Sequence, residues 1–388
     1  MTAPQTADVV VVGGGLIGTA IAWRLRLTGR SVAVVTGERS AAASRVAAGM
    51  LAPVTETTYT EGPLLGLNQA SMAQYGTFVA ELEDCAGQPA GLRRVPTLSV
   101  AGNADDAAQL AALAGYLERL GLESVRLTSR ECRRYEPLLS PTIRSGLLVA
   151  GDWSCDNRLL WAALIEACRR TGVVEVPGFA HQISSGKGQV DGVVLGDGTQ
   201  LATSQVVLAN GAWAAQLSGT PPIPVRPVKG QILRLDPVRL PAPSLTIRAF
   251  TSGHEVYLVP RESGREVVVG ATVEELGFDP RVTAGGVYEL LRDARQVLPV
   301  TAEYALSETS VGYRPGTPDN APILGPCELT GLVLATGHYR NGVLLTPVTA
   351  TAITQLIEHG SLPEVATGFT LDRFAGLPGA AELTRERA

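Results

Sequence analysis

Three glycines spaced Gly13-x-Gly15-x-x-Gly18 stand between a run of four valines, Val9–Val12, and the helical pattern Ala20-Ile21-Ala22-Trp23-Arg24-Leu25. The chemistry this spacing serves is capture of a dinucleotide pyrophosphate. One glycine turns the chain sharply, one lets the phosphates reach bare backbone, and one lets the helix pack on the strand, with the anion at the helix N-terminus. A bare structural turn is the other reading of three glycines. The strand before them and the helix after them decide for the cradle. The glycines alone do not separate NAD from FAD.

Such a cradle has to sit inside a strand–turn–helix–strand unit, and the flanking sequence supplies one. The helix runs to about Leu27 and stops at Gly29, and a second strand over 31–35 completes a βαβ unit with parallel strands. Residues 39–53 are rich in small side chains, which suits close approach to a large ligand. The spacing of Met72, Tyr75, Phe78 and Leu82 predicts a helix over 67–85, and that of Leu110, Leu113, Leu117 and Leu120 another over 104–120, with a strand over 97–101 between them. A helix over 159–171 takes Asn157 as its cap. Segments 190–195 and 199–201 read as a hairpin across Gly196-Asp197-Gly198. The strand over 205–209 returns the chain to the nucleotide sheet, with Trp213 packed in the core just beyond it. The proline-rich stretch 220–244 holds crossings and strand edges, not helix. After it come paired strands over 255–260 and 266–270, a helix over 287–297, a strand over 332–336 and a long helix over 343–359. Both ends of the chain are β-glycine-α segments, whereas the middle is hairpins and prolines. The expected fold class is therefore α/β: a Rossmann-like nucleotide domain assembled from 1–80, 143–218 and 308–388, with an inserted β-rich α+β substrate domain formed by 81–142 and 219–307.

At 388 residues, 45% hydrophobic and 18% charged, with a net charge of −5, the chain is globular and long enough for two domains. It carries no basic block and no interleaved basic–aromatic stripe, so nucleic acid is not an expected partner, and its mild acidity does not point to a membrane surface. The valine run is too short to span a bilayer and lacks a basic leader and a cleavage site, so a cytoplasmic location is expected. Cys85, Cys132, Cys155, Cys168 and Cys327 are scattered and form no C-x-x-C pair, which reads as reduced structural thiols. His181, His254, His338 and His359 offer no metal-ligand spacing, and no metal is expected.

Two further segments separate the dinucleotides. One is Ala47-Ala48-Gly49-Met50-Leu51. The other is Val311-Gly312-Tyr313-Arg314-Pro315-Gly316-Thr317-Pro318-Asp319-Asn320-Ala321-Pro322-Ile323-Leu324-Gly325, followed by Ala335-Thr336-Gly337-His338-Tyr339-Arg340-Asn341-Gly342-Val343-Leu344-Leu345. With the glycine turn they resemble the D-amino-acid oxidase family of FAD proteins, from Asp8 to about Phe374. The run Gly-His-Tyr-Arg-Asn-Gly and the run Val256-Tyr257-Leu258-Val259-Pro260-Arg261 are closer to the glycine-oxidising branch of that family. The resemblance implies noncovalent FAD, since Cys327 follows Gly325-Pro326 and does not match the linkage position of covalent relatives. It implies oxidative deamination of glycine, with sarcosine or small D-amino acids as further candidates, to glyoxylate or the oxo acid, ammonia and hydrogen peroxide, with O2 as acceptor; the alternative is an oxidase or dehydrogenase of another small amine, such as sarcosine, D-proline or a D-amino acid, outside thiamine synthesis. It also implies a homo-oligomer, a homotetramer, and a glycine imine handed to a thiazole synthase for the thiazole of thiamine.

Carried over position by position, the resemblance places Gly13, Gly15, Leu16, Ile17 and Gly18 at the pyrophosphate. It places Ala43, Ser44, Ala48, Gly49 and Met50 along the phosphates and flavin ring, and the backbone of Ala180 at the adenine. His338, Tyr339, Arg340, Asn341, Gly342, Val343 and Leu344 fall at the pyrimidine end of the flavin. Arg314 falls on the substrate carboxylate, with Arg340 as a second arginine in the pocket and the Tyr257 hydroxyl reaching the same carboxylate. The chain departs from the pattern at the ribose. Relatives end the second strand with an acidic residue there, but Val34-Val35 is followed by Thr36 and Gly37, with Glu38 two positions on, so either Thr36 or Glu38 meets the ribose.

A buried carboxylate is costly without a cation, and a planar guanidinium answers it with two parallel hydrogen bonds. The flavin performs the redox step while the protein orients, so no acid–base pair is required and His338 reads as a structural or flavin-side residue. Alternatives stay open for each group: Arg314 pairing with Asp319, Arg340 on a surface loop, Tyr257 packed in the core. A nucleotide-binding protein without catalysis is the competing class, and the presence of Arg314 and Tyr257 argues against it.

Overall fold

A computed structural model describes residues 6–37 and 42–376. Glu38 lies outside them. The valine run forms the strand Val9–Val12, buried on both faces as a parallel strand covered on each side must be. It sits inside a six-stranded sheet ordered Ile323–Pro326, Leu332–Thr336, Val206–Leu208, Val9–Val12, Val32–Thr36, Val174–Pro177. All neighbours pair in parallel except the edge pair Ile323–Pro326 and Leu332–Thr336. Helices Leu16–Leu27, Gly62–Ala86, Asn157–Thr171 and Thr346–His359 bury one face of this sheet. A three-stranded antiparallel sheet, Ala180–Gly186, Gln189–Leu195 and Gln200–Ala202, covers the other. Among the described residues no helix is long and apolar enough to cross a membrane.

The second large layer is an eight-stranded sheet, ordered Ala305–Gly316, Arg226–Asp236, Val267–Gly270, His254–Pro260, Thr246–Thr251, Thr97–Ala101, Ser145–Val149, Val125–Thr128. It is antiparallel apart from the parallel pair Thr246–Thr251 and Thr97–Ala101. Helix Ala284–Val297 packs Leu290, Ala294 and Val297 onto its apolar face.

Several elements differ from the sequence reading. Ser145–Val149 and the segment 308–316 pair in the eight-stranded sheet, not with the nucleotide strands. Ser145–Val149 is a short apolar run that suits either sheet, and Ala305–Gly316 stays in register with Arg226–Asp236 as far as Gly316 opposite Arg226. The proline-rich stretch contains that long inner strand because Pro227 falls at its start and Pro237 just past its end. The helix Asn157–Thr171 is capped by Asp156, whose carboxylate accepts from the amides of Arg158 (2.9 Å) and Leu159 (3.2 Å). Asn157 is thereby released to donate to the Ser44 carbonyl at 2.8 Å.

Candidate active site

A cavity of about 1040 Å³ runs from the glycine turn to the eight-stranded sheet. Gly13, Gly15, Leu16 and Ile17 line one part, Ala43, Ser44, Ala48, Gly49 and Met50 another, with Gly37 and Ala180 also in the wall. Tyr257, Arg314, His338, Tyr339, Arg340, Gly342 and Val343 belong to the same cavity. Gly18, Thr36, Asn341 and Leu344 do not line it. Gly18 has a packing role: a Cβ there would lie 1.9 Å from the Gly13 carbonyl oxygen. Leu344 is buried, and its carbonyl accepts from Ser71 at 2.6 Å. Thr36 turns its hydroxyl to Glu175.

The cradle fits a dinucleotide. Gly13 has φ of +117°, and a Cβ on it would lie 2.5 Å from the Ala209 carbonyl oxygen, so only glycine makes this turn. Helix Leu16–Leu27 starts from Gly15 with no side-chain cap, and the Leu16 amide donates to the Ser44 hydroxyl at 3.0 Å. The indole of Trp161 donates to the Gly14 carbonyl at 2.9 Å and fixes the turn from the next helix. The buried amide oxygen of Asn210, in the same wall, has no partner among the described residues. A largely preformed cleft of this volume is on the scale of such a ligand.

The 48–50 stretch is held from behind. The buried Arg261 guanidinium donates to the carbonyls of Ala48 (2.8 Å) and Cys155 (3.2 Å) and to Asn157 Oδ1 (2.8 Å). Gly49 packs so tightly that a Cβ on it would lie 1.8 Å from the Cys155 carbonyl oxygen.

Arg314 and Tyr257 are brought together across the eight-stranded sheet. The Arg314 guanidinium lies over Gly230, where a Cβ would come within 2.4 Å of Nη1, and donates to the Thr272 carbonyl at 3.1 Å. Tyr257 lies over its register partner Gly270, where a Cβ would come within 2.3 Å of the hydroxyl. Burial pushes the Tyr257 phenol up to about 12, against the pull of the Arg314 guanidinium beside it. Asp319 pairs with Arg373 at 2.8 Å instead of with Arg314, and Arg314 has no ion-pair partner among the described residues. Arg340 differs. It pairs with Glu61 at 3.0 Å, and Asn320 donates to the same carboxylate at 3.0 Å. His338 is buried and hydrogen-bonded to the Thr349 hydroxyl at 3.0 Å; burial pushes its imidazole down to about 3 and leaves it neutral. Trp213 is half-buried and lines the cavity, stacked on Phe278 at 5.3 Å between ring centroids.

Sequence reasoning missed Glu61, Trp161, Gly230 and Gly270. The two glycines carry a signal, because glycine inside a strand marks close approach of another group. Nothing local marks Glu61 or Trp161.

Residues 8–356 match the family described as FAD dependent oxidoreductase. A protein of Synechocystis sp. named bifunctional protein ThiO/ThiG is 38% identical over 95% of this chain and 54% of its own length, so the chain spans about half of that relative. The glycine oxidase of Geobacillus kaustophilus is 34% identical over 96% of this chain and 98% of its own. The crystal structure of glycine oxidase from that organism superposes with a TM-score of 0.87 at 31% identity, covering 95% of this chain and 99% of the other.

Proposed function

The chain belongs to the DAO family of FAD-dependent oxidoreductases, and on that premise we propose that it oxidises glycine to its imine, which water converts to glyoxylate and ammonia. The observation that carries this reading is the Arg314 guanidinium in the cavity wall, without a carboxylate partner among the described residues, beside the Tyr257 hydroxyl. The likeness to a glycine oxidase over nearly the full length of both chains supports the choice of substrate.

When bound, FAD supplies the two-electron oxidation of the substrate C–N bond, with O2 as terminal acceptor and hydrogen peroxide as product. Gly13, Gly15, Leu16, Ile17 and Ser44 would hold its pyrophosphate, and Ala48, Gly49 and Met50 would lie along its ring system. None of the five cysteines lines the cavity, which supports noncovalent attachment. Arg314 grips the substrate carboxylate through parallel N–H donors, and Tyr257, protonated across the working pH range, donates from its hydroxyl. Anchoring the carboxylate orients a molecule as small as glycine. Arg340, in the cavity wall, has its charge met by Glu61 and is not free to chelate. His338, neutral and bound to Thr349, moves no proton. The two-part Synechocystis relative supports hand-off of the imine to a second enzyme, the thiazole synthase of thiamine formation.

Anaerobic titration of the flavin-loaded protein with glycine, sarcosine, D-alanine and D-proline tests the reading. Glycine is expected to bleach the flavin's visible absorbance with the highest specificity constant. Bleaching by one of the others with glycine inert would overturn the substrate while leaving the reaction class intact.

A further inference from the structure

Dinucleotide folds of this type place an acidic side chain about twenty residues past the glycine turn, where it hydrogen-bonds the ribose. This chain has Thr36 at that place, the last residue of Val32–Thr36. Thr36 stands against the turn itself: a Cβ on Gly14 would lie 2.4 Å from its methyl carbon. Its hydroxyl donates to Glu175 Oε1 at 2.8 Å. Glu175 comes from the neighbouring parallel strand Val174–Pro177, in register with Val34, so its side chain leaves the sheet on the same face as Thr36. The Glu175 carboxylate is thereby held beside Thr36, next to the cavity, whose lining includes neither of the two residues. Val35 and Gly37, on either side of Thr36, and Gly178, which follows the Glu175 strand, all belong to the cavity wall. Glu175 is exposed, so its second oxygen and remaining lone pairs are open to a ligand.

We propose that Glu175 is the ribose-binding acid of this chain, lent across the sheet by a neighbouring strand and oriented by Thr36. Its carboxylate accepts from the adenosine ribose hydroxyls while Thr36 fixes its rotamer. The proposal rests on FAD dependence and not on the choice of glycine as substrate. A cross-strand threonine–glutamate pair with no ligand is the competing account.

The test measures the dissociation constant of FAD for the full-length apoprotein by flavin fluorescence. Glu175→Gln is expected to weaken FAD about tenfold to a hundredfold, the size of a lost hydrogen bond to a charged group. The loss should shrink to under about threefold with an FAD analogue lacking the adenosine 2′-hydroxyl, and adding Thr36→Glu to the Glu175→Gln variant should recover most of the affinity. Thermal unfolding of the apoproteins checks that both variants fold alike. An unchanged constant in Glu175→Gln, an equal loss with the deoxy analogue, or a comparable loss confined to Glu38→Gln would overturn the assignment. None of these outcomes bears on which amine is oxidised.

Discussion

Arg314 donates to backbone carbonyls, at Thr272 and, more distantly, at Lys229, and pairs with no carboxylate among the described residues, so its charge is left for a ligand. Arg314→Ala should cost about 3–5 kcal/mol of transition-state stabilisation, because a buried substrate charge is left without its cation. Steady-state kinetics should then show kcat/KM for glycine down by about two to four decades, and a loss below about tenfold would remove Arg314 from the role. Gly270 makes a subtler prediction. A methyl group there would run into the Tyr257 ring, with carbon contacts at 2.4 Å, so Gly270→Ala must push the hydroxyl off its place. We expect KM for glycine to rise by about tenfold with the dissociation constant of FAD unchanged, read by parallel kinetics and flavin titration. Tyr257 and Arg314 were legible as single residues in their motifs. The resemblance already set both on one carboxylate; what the sequence does not carry is how they are brought together, because that depends on the register of His254–Pro260, Val267–Gly270, Arg226–Asp236 and Ala305–Gly316. Glu61 was hidden for a related reason: it is 279 positions from Arg340 and precedes a helix whose start lies before the first periodic residue.

Strands and helices whose cues are local were read nearly to the residue. The turn unit Val9–Val12, Leu16–Leu27, Val32–Thr36 is punctuated by its own glycines, and helix Ala104–Arg119 by the Asn103 cap and leucine spacing. Strands that find their partners far away were not, since a run such as Ser145–Val149 carries no mark of which sheet will take it. The helix cap at Asp156 in place of Asn157 shows the same limit: both types cap well, and only the tertiary need for an amide beside Ser44 and Arg261 decides between them. His338 ties the loop before the last helix to Thr349 within it, and that link has a pH signature. Its folded pKa lies far below the unfolded value near 6.5, so the neutral ring's contribution is complete above about pH 6.5 and is lost as pH falls toward about 3. Relative to His338→Gln, the wild type should lose ~1.4 kcal/mol per pH unit between about pH 6 and 4 in denaturant unfolding. Parallel curves for the two proteins would refute a buried neutral ring.

The cavity draws its walls from both large sheets: Gly13 and Val35 beside the six-stranded one, Tyr257 and Arg314 from the eight-stranded one. A ligand filling it binds the folded arrangement and not its separated parts. Thermal scans of apoprotein and loaded protein should therefore show the midpoint climbing with free FAD, by the equivalent of about 2.7 kcal/mol at a hundredfold excess over the dissociation constant. A midpoint indifferent to FAD would mean that FAD does not bind the folded protein in preference to the unfolded chain. The link between the sheets near the site is short. Arg314 stands two residues from the end of Ala305–Gly316, and the next strand, Ile323–Pro326, already belongs to the other sheet, with only residues 317–322 between. Thr317 braces that link by donating to the Ala321 carbonyl and Asp319 by accepting from the Ala321 amide, and Arg373 clasps it from outside. The interval between the anion grip and the nucleotide layer is thus a covalent ruler. Natural or engineered changes of substrate are better sought among the other side chains that line the cavity, because lengthening those six residues would stretch the ruler for every amine alike.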